Sequence, residues 1–350
     1  MNRYLEKGKA ILKDYIEQNE LPGATFSIVT KDGFDCDYIG YKALIPEKTP
    51  NSIDTIYDLA SLSKVVVTTN LVLKLLEEGK ISLRMKVCDI LEDFPHKNVT
   101  IRNLLTHTSG LPADDKNYKN CKDQDELWQF ILKLPLKYET GTMVEYSCFG
   151  YIVLQKIVEH FKGDFEKCAI KELFEPLGMK NTMYNPAGKN RKQDCAPTEV
   201  TDLRGVIQGE VHDGKAYISG GVAGNAGVFS DIHDVSRLVQ MILNDGELDG
   251  KRILNKATIN LLKKPYTADM NSTRTLGWVY SDPNTNGGDY YSEVSLFHSG
   301  FTGTGIYIDF IRKIGIVLLD NGIHPKRDSK KIEIRDKFFN QVILAYDEEN

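Results

Sequence analysis

Ser61-Leu62-Ser63-Lys64, preceded by Thr55-Ile56-Tyr57-Asp58-Leu59-Ala60, sets a hydroxyl and an amine three residues apart. On a helix that spacing brings both side chains to one face, about one turn apart. Such a pair can make an amide-cleaving nucleophile. A serine hydroxyl is almost unreactive at neutral pH, and a lysine beside it can take its proton once burial or a nearby positive charge has lowered the amine pKa. Alone, S-x-x-K is a weak signal, and the plain alternative is a helix-capping serine followed by an exposed lysine. The flanks favour the first reading. Residues 55–60 read as extended, and Val65, Thr69, Val72 and Leu76 recur at helical spacing until Glu77-Glu78-Gly79 ends the pattern. Ser61 is therefore expected to open a helix, at the positive end of its dipole, where an oxyanion is favoured.

Tyr146-Ser147-Cys148 begins another helical pattern, with Phe149, Ile152, Val153 and Ile157 on one face. His298-Ser299-Gly300 introduces a strand-like run over 304–310. In this order the three elements resemble S-x-x-K, Y-x-N and K/H-T/S-G, the active-site motifs of the serine β-lactamase and penicillin-binding-protein superfamily. Longer runs carry the resemblance further. Asp58-Leu59-Ala60-Ser61-Leu62-Ser63-Lys64, Ile101-Arg102-Asn103-Leu104-Leu105-Thr106-His107-Thr108-Ser109-Gly110-Leu111, Phe174-Glu175-Pro176-Leu177-Gly178-Met179 and His298-Ser299-Gly300-Phe301-Thr302-Gly303 are similar to signature stretches of its class C β-lactamase-like branch. Motifs of this length are specific for family and much less so for substrate, because one fold hosts many chemistries.

Strand candidates near the start are 24–30 and 34–41, joined by the turn Lys31-Asp32-Gly33, and near the end 275–281, 304–310 and 314–320. Between them the pattern is mainly helical, interrupted by Gly/Pro loops at 108–115 and 184–197. The expected fold class is α/β (α+β), β-lactamase/transpeptidase-like. It has an antiparallel sheet of about five strands built from both termini, flanked by terminal helices over 3–19 and 329–346, plus a mainly helical domain. Residues 1–58 with 270–350 would form the sheet domain and 59–269 the helical one, with the active site at their boundary as the resemblance implies.

Composition narrows the function. Of 350 residues, 41% are hydrophobic, enough for a sizeable core. A net charge of −5 argues against nucleic acid as a partner, since phosphate binding needs a concentrated basic face. Lys330-Lys331, flanked by Asp328 and Glu333, reads as a solvated helix face. The N-terminal 21 residues mix charges with Leu5, Ile11, Leu12 and Ile16 and lack the apolar core of a signal peptide; no run is long enough to span a bilayer. The expected compartment is the cytoplasm, unless a leader has been removed. The six cysteines, Cys36, Cys88, Cys121, Cys148, Cys168 and Cys195, contain no C-x-x-C pair and read as reduced thiols. The seven histidines form no metal motif; His212-Asp213 and His233-Asp234 are adjacent pairs whose side chains normally diverge. Neither metal nor cofactor is expected, and nothing in the sequence sets an oligomeric state.

The resemblance implies roles residue by residue. Ser61 would attack a carbonyl carbon and form an acyl-enzyme. Lys64 would be its proton acceptor or the electrostatic support for one. Tyr146 would shuttle a proton to the leaving group and help activate the deacylating water. The backbone N–H groups of Ser61 and Phe301 would form the oxyanion hole. His298, Ser299 and Gly300 would line the strand side of the cleft and meet a substrate carboxylate or carbonyl. Two positions depart from the commonest pattern. Cys148 replaces the amide of Y-x-N, and a thiol gives only weak hydrogen bonds, so efficient β-lactamase activity is in doubt and another acyl substrate is favoured. As a nucleophile Cys148 would need a paired histidine, which no local sequence supplies, so it reads as a pocket or core residue. His298, a known variant of the third motif, would be partly charged near neutral pH, making carboxylate recognition pH-dependent; a neutral strand histidine is the alternative.

Glu210-Val211-His212-Asp213, followed by Gly220-Gly221-Val222-Ala223-Gly224-Asn225-Ala226-Gly227, is too glycine-rich for a plain helix. It reads equally as a loop wrapping the cleft or as a tight packing turn before a helix over 232–244. This pair of stretches is similar to the subset that includes cell-wall-recycling N-acetylmuramoyl-L-alanine amidases. The expected function is a serine hydrolase that cleaves an amide in a peptidoglycan-derived muropeptide. An esterase, a D-peptidase, a true β-lactamase and a catalytically silent muropeptide- or β-lactam-binding module are the alternatives.

Overall fold

The computed structural model describes residues 3–282, 287–327 and 330–349. Its central sheet has seven antiparallel strands: β1 (Gly23–Val29), β2 (Phe34–Ala43), β3 (Thr49–Pro50), β4 (Val279–Tyr280), β5 (Ser295–Ser299), β6 (Gly305–Asp309) and β7 (Ile314–Asp320). Their spatial order is β4-β5-β6-β7-β1-β2-β3, so the two ends of the chain meet where β1 pairs with β7, from Ala24 opposite Asp320 to Val29 opposite Gly315. Around the sheet lie α1 (Arg3–Glu17), α2 (Thr69–Glu77), α3 (Cys148–Lys162), α4 (Ile232–Leu243) and α5 (Lys331–Asp347), among shorter helical turns.

Every residue of β1 and β7 is buried, because both faces of the sheet are covered. Alternate side chains go to opposite faces. Phe26, Ile28, Ile316 and Leu318 meet Leu5 and Leu12 of α1 and Phe338 and Val342 of α5. Val317 and Leu319 belong instead to the larger core with Val235, Leu238 and Val239 of α4. Burying each large apolar side chain stabilises the fold by about 1.5–3 kcal/mol relative to exposure. The helices approach closely through small residues. A Cβ on Gly8 would come within 2.6 Å of Phe338, and one on Gly315 within 2.2 Å of Val239.

Two strands beyond the expected five or so complete the sheet. β5, Ser295-Leu296-Phe297-His298-Ser299, is buried up to its last residue and so shows no alternation of polar and apolar residues for a sequence pattern to reveal. β3 has only two residues, one of them proline. The strand expected over 275–281 shrinks to Val279–Tyr280, because Gly277 (φ +86°) lies against Thr69 of α2, where a Cβ would come 2.4 Å from Oγ1. The mainly helical region also carries a small sheet, with Val228–Ser230 between Tyr57–Asp58 and Met183–Tyr184. The terminal helices cover the sheet as expected, although the expected start at Ser329 lies outside the described residues. Among the described residues no helix is long and apolar enough to cross a membrane.

Candidate active site

The chain leaves Tyr57–Asp58 and must reverse sharply to enter α2. It does so through Ala60, an L-residue in the left-handed region at φ +47°, a conformation costing on the order of 1–3 kcal/mol. The Asp58 carboxylate over-determines that turn. Its two oxygens accept the N–H groups of Ala60 and His212, each at 2.8 Å, and burial pushes its pKa up even though both hydrogen bonds pull it down. Ser61 consequently sits in a 3-10 turn (Ala60–Leu62), followed by one π-helical turn (Lys64–Thr68) and then α2, where a regular helix start was expected. The third motif is fastened to the same turn. Thr302 Oγ1 donates to Asp58 O at 2.8 Å, and Thr304 Oγ1 to Leu59 O at 3.3 Å. Gly300 is required between them, since a Cβ would lie 2.1 Å from Thr304 Oγ1 and 2.5 Å from Leu59 O. This fastening holds Phe301 next to the Ser61 turn, and its N–H has no backbone acceptor among the described residues.

Lys64 is fully buried. An ammonium carries three donors, and Lys64 Nζ has three acceptors: Ser61 Oγ at 3.0 Å, Asn225 O at 2.8 Å and Cys148 Sγ at 3.6 Å. Burial lowers its pKa, while the neighbouring Cys148 and Tyr146 side chains and the Asp213 carboxylate raise it, and the balance is upward. Of the two expected roles for Lys64, proton acceptor or electrostatic support for one, a raised pKa and donation to Ser61 Oγ favour the second. The glycine-rich loop explains the third acceptor. Gly224 packs so tightly on α3 that a Cβ would meet Tyr151 O at 2.2 Å, which brings Asn225 O under Lys64. The stretch packs tightly before its helix and also sets its backbone against the site, so both expected readings keep support.

Tyr146 projects from the residue before the Ser147 cap of α3, where Ser147 Oγ accepts from Gly150 N at 3.4 Å and donates to Pro112 O at 2.8 Å. Its ring centroid is 4.9 Å from Lys64 Nζ. The phenol oxygen is buried and unbonded, within electrostatic reach of Lys64 and Ser61. Burial raises its pKa while Lys64 pulls the other way, and the balance is upward, so at rest Tyr146 is a phenol. His107 sets its position. The imidazole lies 4.4 Å from the Tyr146 ring, its Nδ1 accepts Ser147 N at 3.1 Å, and its carbonyl accepts Glu145 N at 2.9 Å, so both peptide neighbours of Tyr146 hang on one residue. That geometry needs a neutral ring, and burial, with Arg274 and Lys64 nearby, keeps the His107 pKa well below the usual histidine value.

A cleft of about 540 Å³ opens over these groups, lined by Ser61, Tyr146, Arg274, His298, Ser299 and Phe301 among others. His298 is buried, with Nδ1 3.1 Å from Ser299 O. Burial, then Lys64 and Arg274, depress its pKa well below 6.5, which favours the neutral strand histidine of the two expected readings. Gly300 also lines the cleft; Cys148 is not among the lining residues and instead reaches Lys64. A β-lactamase family model matches residues 9–338.

The chain belongs to the β-lactamase family. It is a serine hydrolase of that family, with a β-lactamase/transpeptidase-like fold. It is 31% identical to an N-acetylmuramyl-L-alanine amidase of Bacillus subtilis, over 87% of this chain and 78% of the relative. It is also 31% identical to an Escherichia coli protein named "Putative D-alanyl-D-alanine carboxypeptidase", over 82% of this chain and 74% of that one. Simvastatin synthase from Aspergillus terreus superposes over the whole of both chains with a TM-score of 0.80 at 17% identity, a likeness of fold alone.

Within the β-lactamase family Cys148 stands where Y-x-N has its amide, and the structure shows its contact with Lys64. Cys148→Asn is expected to give Lys64 a stronger acceptor and raise β-lactam hydrolysis about tenfold to a hundredfold, the worth of a hydrogen bond to a charge formed in the transition state. The natural activity should stay constant or fall. Rapid β-lactam turnover by the unmodified protein, unaltered in the variant, would make Cys148 a packing residue. Sequence reading singled out neither His107, Asn225 nor Arg274. His107 lies inside a quoted run, and its left-handed backbone (φ +57°) is visible only in the structure. Arg274 borders a strand candidate and has no motif. Lys331, read as a solvated face, lines the cleft instead, and burial lowers its pKa to about 8.

Proposed function

We propose that this chain cleaves an amide in a peptidoglycan-derived fragment through an acyl-enzyme on Ser61. The observation that carries the reading is the buried Lys64 donating at 3.0 Å to Ser61 Oγ at the floor of a cleft walled by His298 and Ser299. The resting pair, Lys64 cation and Tyr146 phenol, holds one proton too many for attack. Loss of that proton leaves Tyr146, beside the Lys64 charge, to accept the hydrogen of Ser61 as its oxygen bonds to the carbonyl carbon. The backbone N–H groups of Ser61 and Phe301 meet the oxyanion, fixed donors that need no reorganisation. The same proton then passes to the departing amine, the carbon–nitrogen bond breaks, and water reverses the sequence to release the acid.

Amide cleavage between muramic acid and L-alanine is the first choice, because the amidase relative matches the larger share of this chain. Removal of a terminal D-alanine is the second, on the equal identity to the carboxypeptidase-named relative. Cytoplasmic turnover of small muropeptides is the setting the first choice implies. Intact-protein mass spectrometry after exposure to a fluorophosphonate, a penicillin and a muropeptide mixture tests the reading, with the peptide products sequenced. Free stem peptide starting at L-alanine supports the amidase, and free D-alanine the carboxypeptidase. No adduct from any of the three would overturn both.

A further inference from the structure

Glu210-Val211-His212-Asp213 does more than brace Asp58 through the His212 N–H. Asp213 Oδ1 accepts Asn225 Nδ2 at 3.0 Å, steadying the residue whose carbonyl takes the Lys64 ammonium. His212 reaches Phe301 instead. The two rings stack with centroids 5.5 Å apart and planes within 14° of parallel. The imidazole is itself held, because its Nε2 lies 2.9 Å from Glu199 Oε2 and its side chain is only 8% exposed. Arg327 Nε donates to the same oxygen at 2.7 Å. Burial pushes the Glu199 carboxyl up, but the hydrogen bonds from His212 and Arg327 outweigh it and hold the pKa below the usual value. An ionised carboxylate only accepts, so His212 Nε2 is the donor.

Phe301 needs such a brace. Its side chain is 46% exposed and, among the described residues, belongs to none of the apolar cores, so core packing does not fix the ring. Gly300 precedes it and Gly303, at φ +133°, follows two residues on, so the backbone on either side is permissive. Lys331 Nζ lies 3.5 Å from the ring centre and donates to Phe301 O, which holds the carbonyl end of the residue. Rotamer and backbone angles constrain one another, so a ring tied down by His212 restrains the direction of its own N–H.

We propose that His212 and Glu199 are positioning residues for acylation: the imidazole, braced by the Glu199 carboxylate, fixes the Phe301 ring and through it aims the Phe301 N–H at the oxyanion. This rests on acylation at Ser61 with that N–H as a donor. Preorganised donors stabilise the developing charge because they need not reorganise, and a donor that swings loses that advantage. Neither residue touches the reacting atoms. The backbone N–H of His212 goes on bracing Asp58 whatever its side chain, so substitution of the ring leaves the Ser61 turn its support.

A matched pair of activated esters tests the assignment: 4-nitrophenyl acetate and its thionoester, in which sulfur replaces the carbonyl oxygen, each rate divided by that of spontaneous hydrolysis. Sulfur accepts hydrogen bonds weakly, so the preference for the oxoester in kcat/KM reads the oxyanion donors. It is unmoved by partial unfolding, which removes active molecules for both esters alike. The unmodified protein should favour the oxoester by about a hundredfold or more. His212→Ala should shrink that preference by about tenfold to a hundredfold, mainly by slowing the oxoester. His212→Phe, which keeps a ring against Phe301, should recover part of it, and Glu199→Gln should fall between His212→Ala and the unmodified protein. A preference unchanged in both His212→Ala and Glu199→Gln, whatever the absolute rates, would overturn the assignment, as would a His212→Phe protein no better than His212→Ala. No oxoester preference in the unmodified protein, a result that needs no variant, would overturn it too while leaving Ser61 acylation intact. Hydrolysis of neither ester, together with no fluorophosphonate adduct, would overturn the Ser61 reading itself.

Discussion

Ser61→Ala is expected to abolish covalent labelling by a fluorophosphonate and to lower kcat/KM on any accepted substrate by on the order of 10⁴ or more. The reason is geometric. The described hydrogen bonds give Ser61 Oγ one partner, Lys64, in a turn held by Asp58 and by the Thr302 and Thr304 hydroxyls. Removing the hydroxyl removes the atom that forms the covalent bond, and the remaining donors can only bind. The turn should survive, since none of its fastening involves the Ser61 side chain, and the melting temperature should change by only a few degrees. Intact labelling in Ser61→Ala, read as an unchanged mass adduct, would move the nucleophile elsewhere.

Lys64→Met is expected to lower the acylation rate at neutral pH by about 10²- to 10⁴-fold. Methionine keeps most of the buried volume, so the loss reports the charge. Lys64 donates to three acceptors and is the cation that pulls the Tyr146 pKa down against burial. Without it the phenol titrates higher still. The rate of the unmodified protein should therefore rise with pH as the pair loses its surplus proton, and in the variant that rise should move to higher pH. Lys64→Arg should not rescue, because a planar fork cannot reach three acceptors placed around an ammonium. A pH–rate profile of fluorophosphonate labelling measures both effects; near-normal labelling with an unmoved profile would assign activation of Ser61 to another residue.

The sequence by itself determined the family and the edges of the fold and pointed to Ser61 as the candidate nucleophile, because those depend on short-range order. Ser61 and Lys64 face each other through a spacing that any helical turn converts into proximity, and β7 and the terminal helices are set by apolar runs readable along one stretch of chain. Tertiary structure decided the charge states. Whether Lys64 rests as amine or ammonium depends on Asn225 O, Cys148 and Tyr146, which lie far from it in sequence and come together only through the close packing of Gly224 on α3. Whether His298 is charged depends on burial beside Lys64 and Arg274, and no pattern around His298 encodes that. β5 escaped notice because a strand covered on both faces loses its alternation. Arg274 had no motif, since its place in the cleft, with Nε unpartnered among the described residues and Asp282 and Tyr146 within electrostatic reach, is a property of the whole surrounding shell and not of its neighbours in the chain.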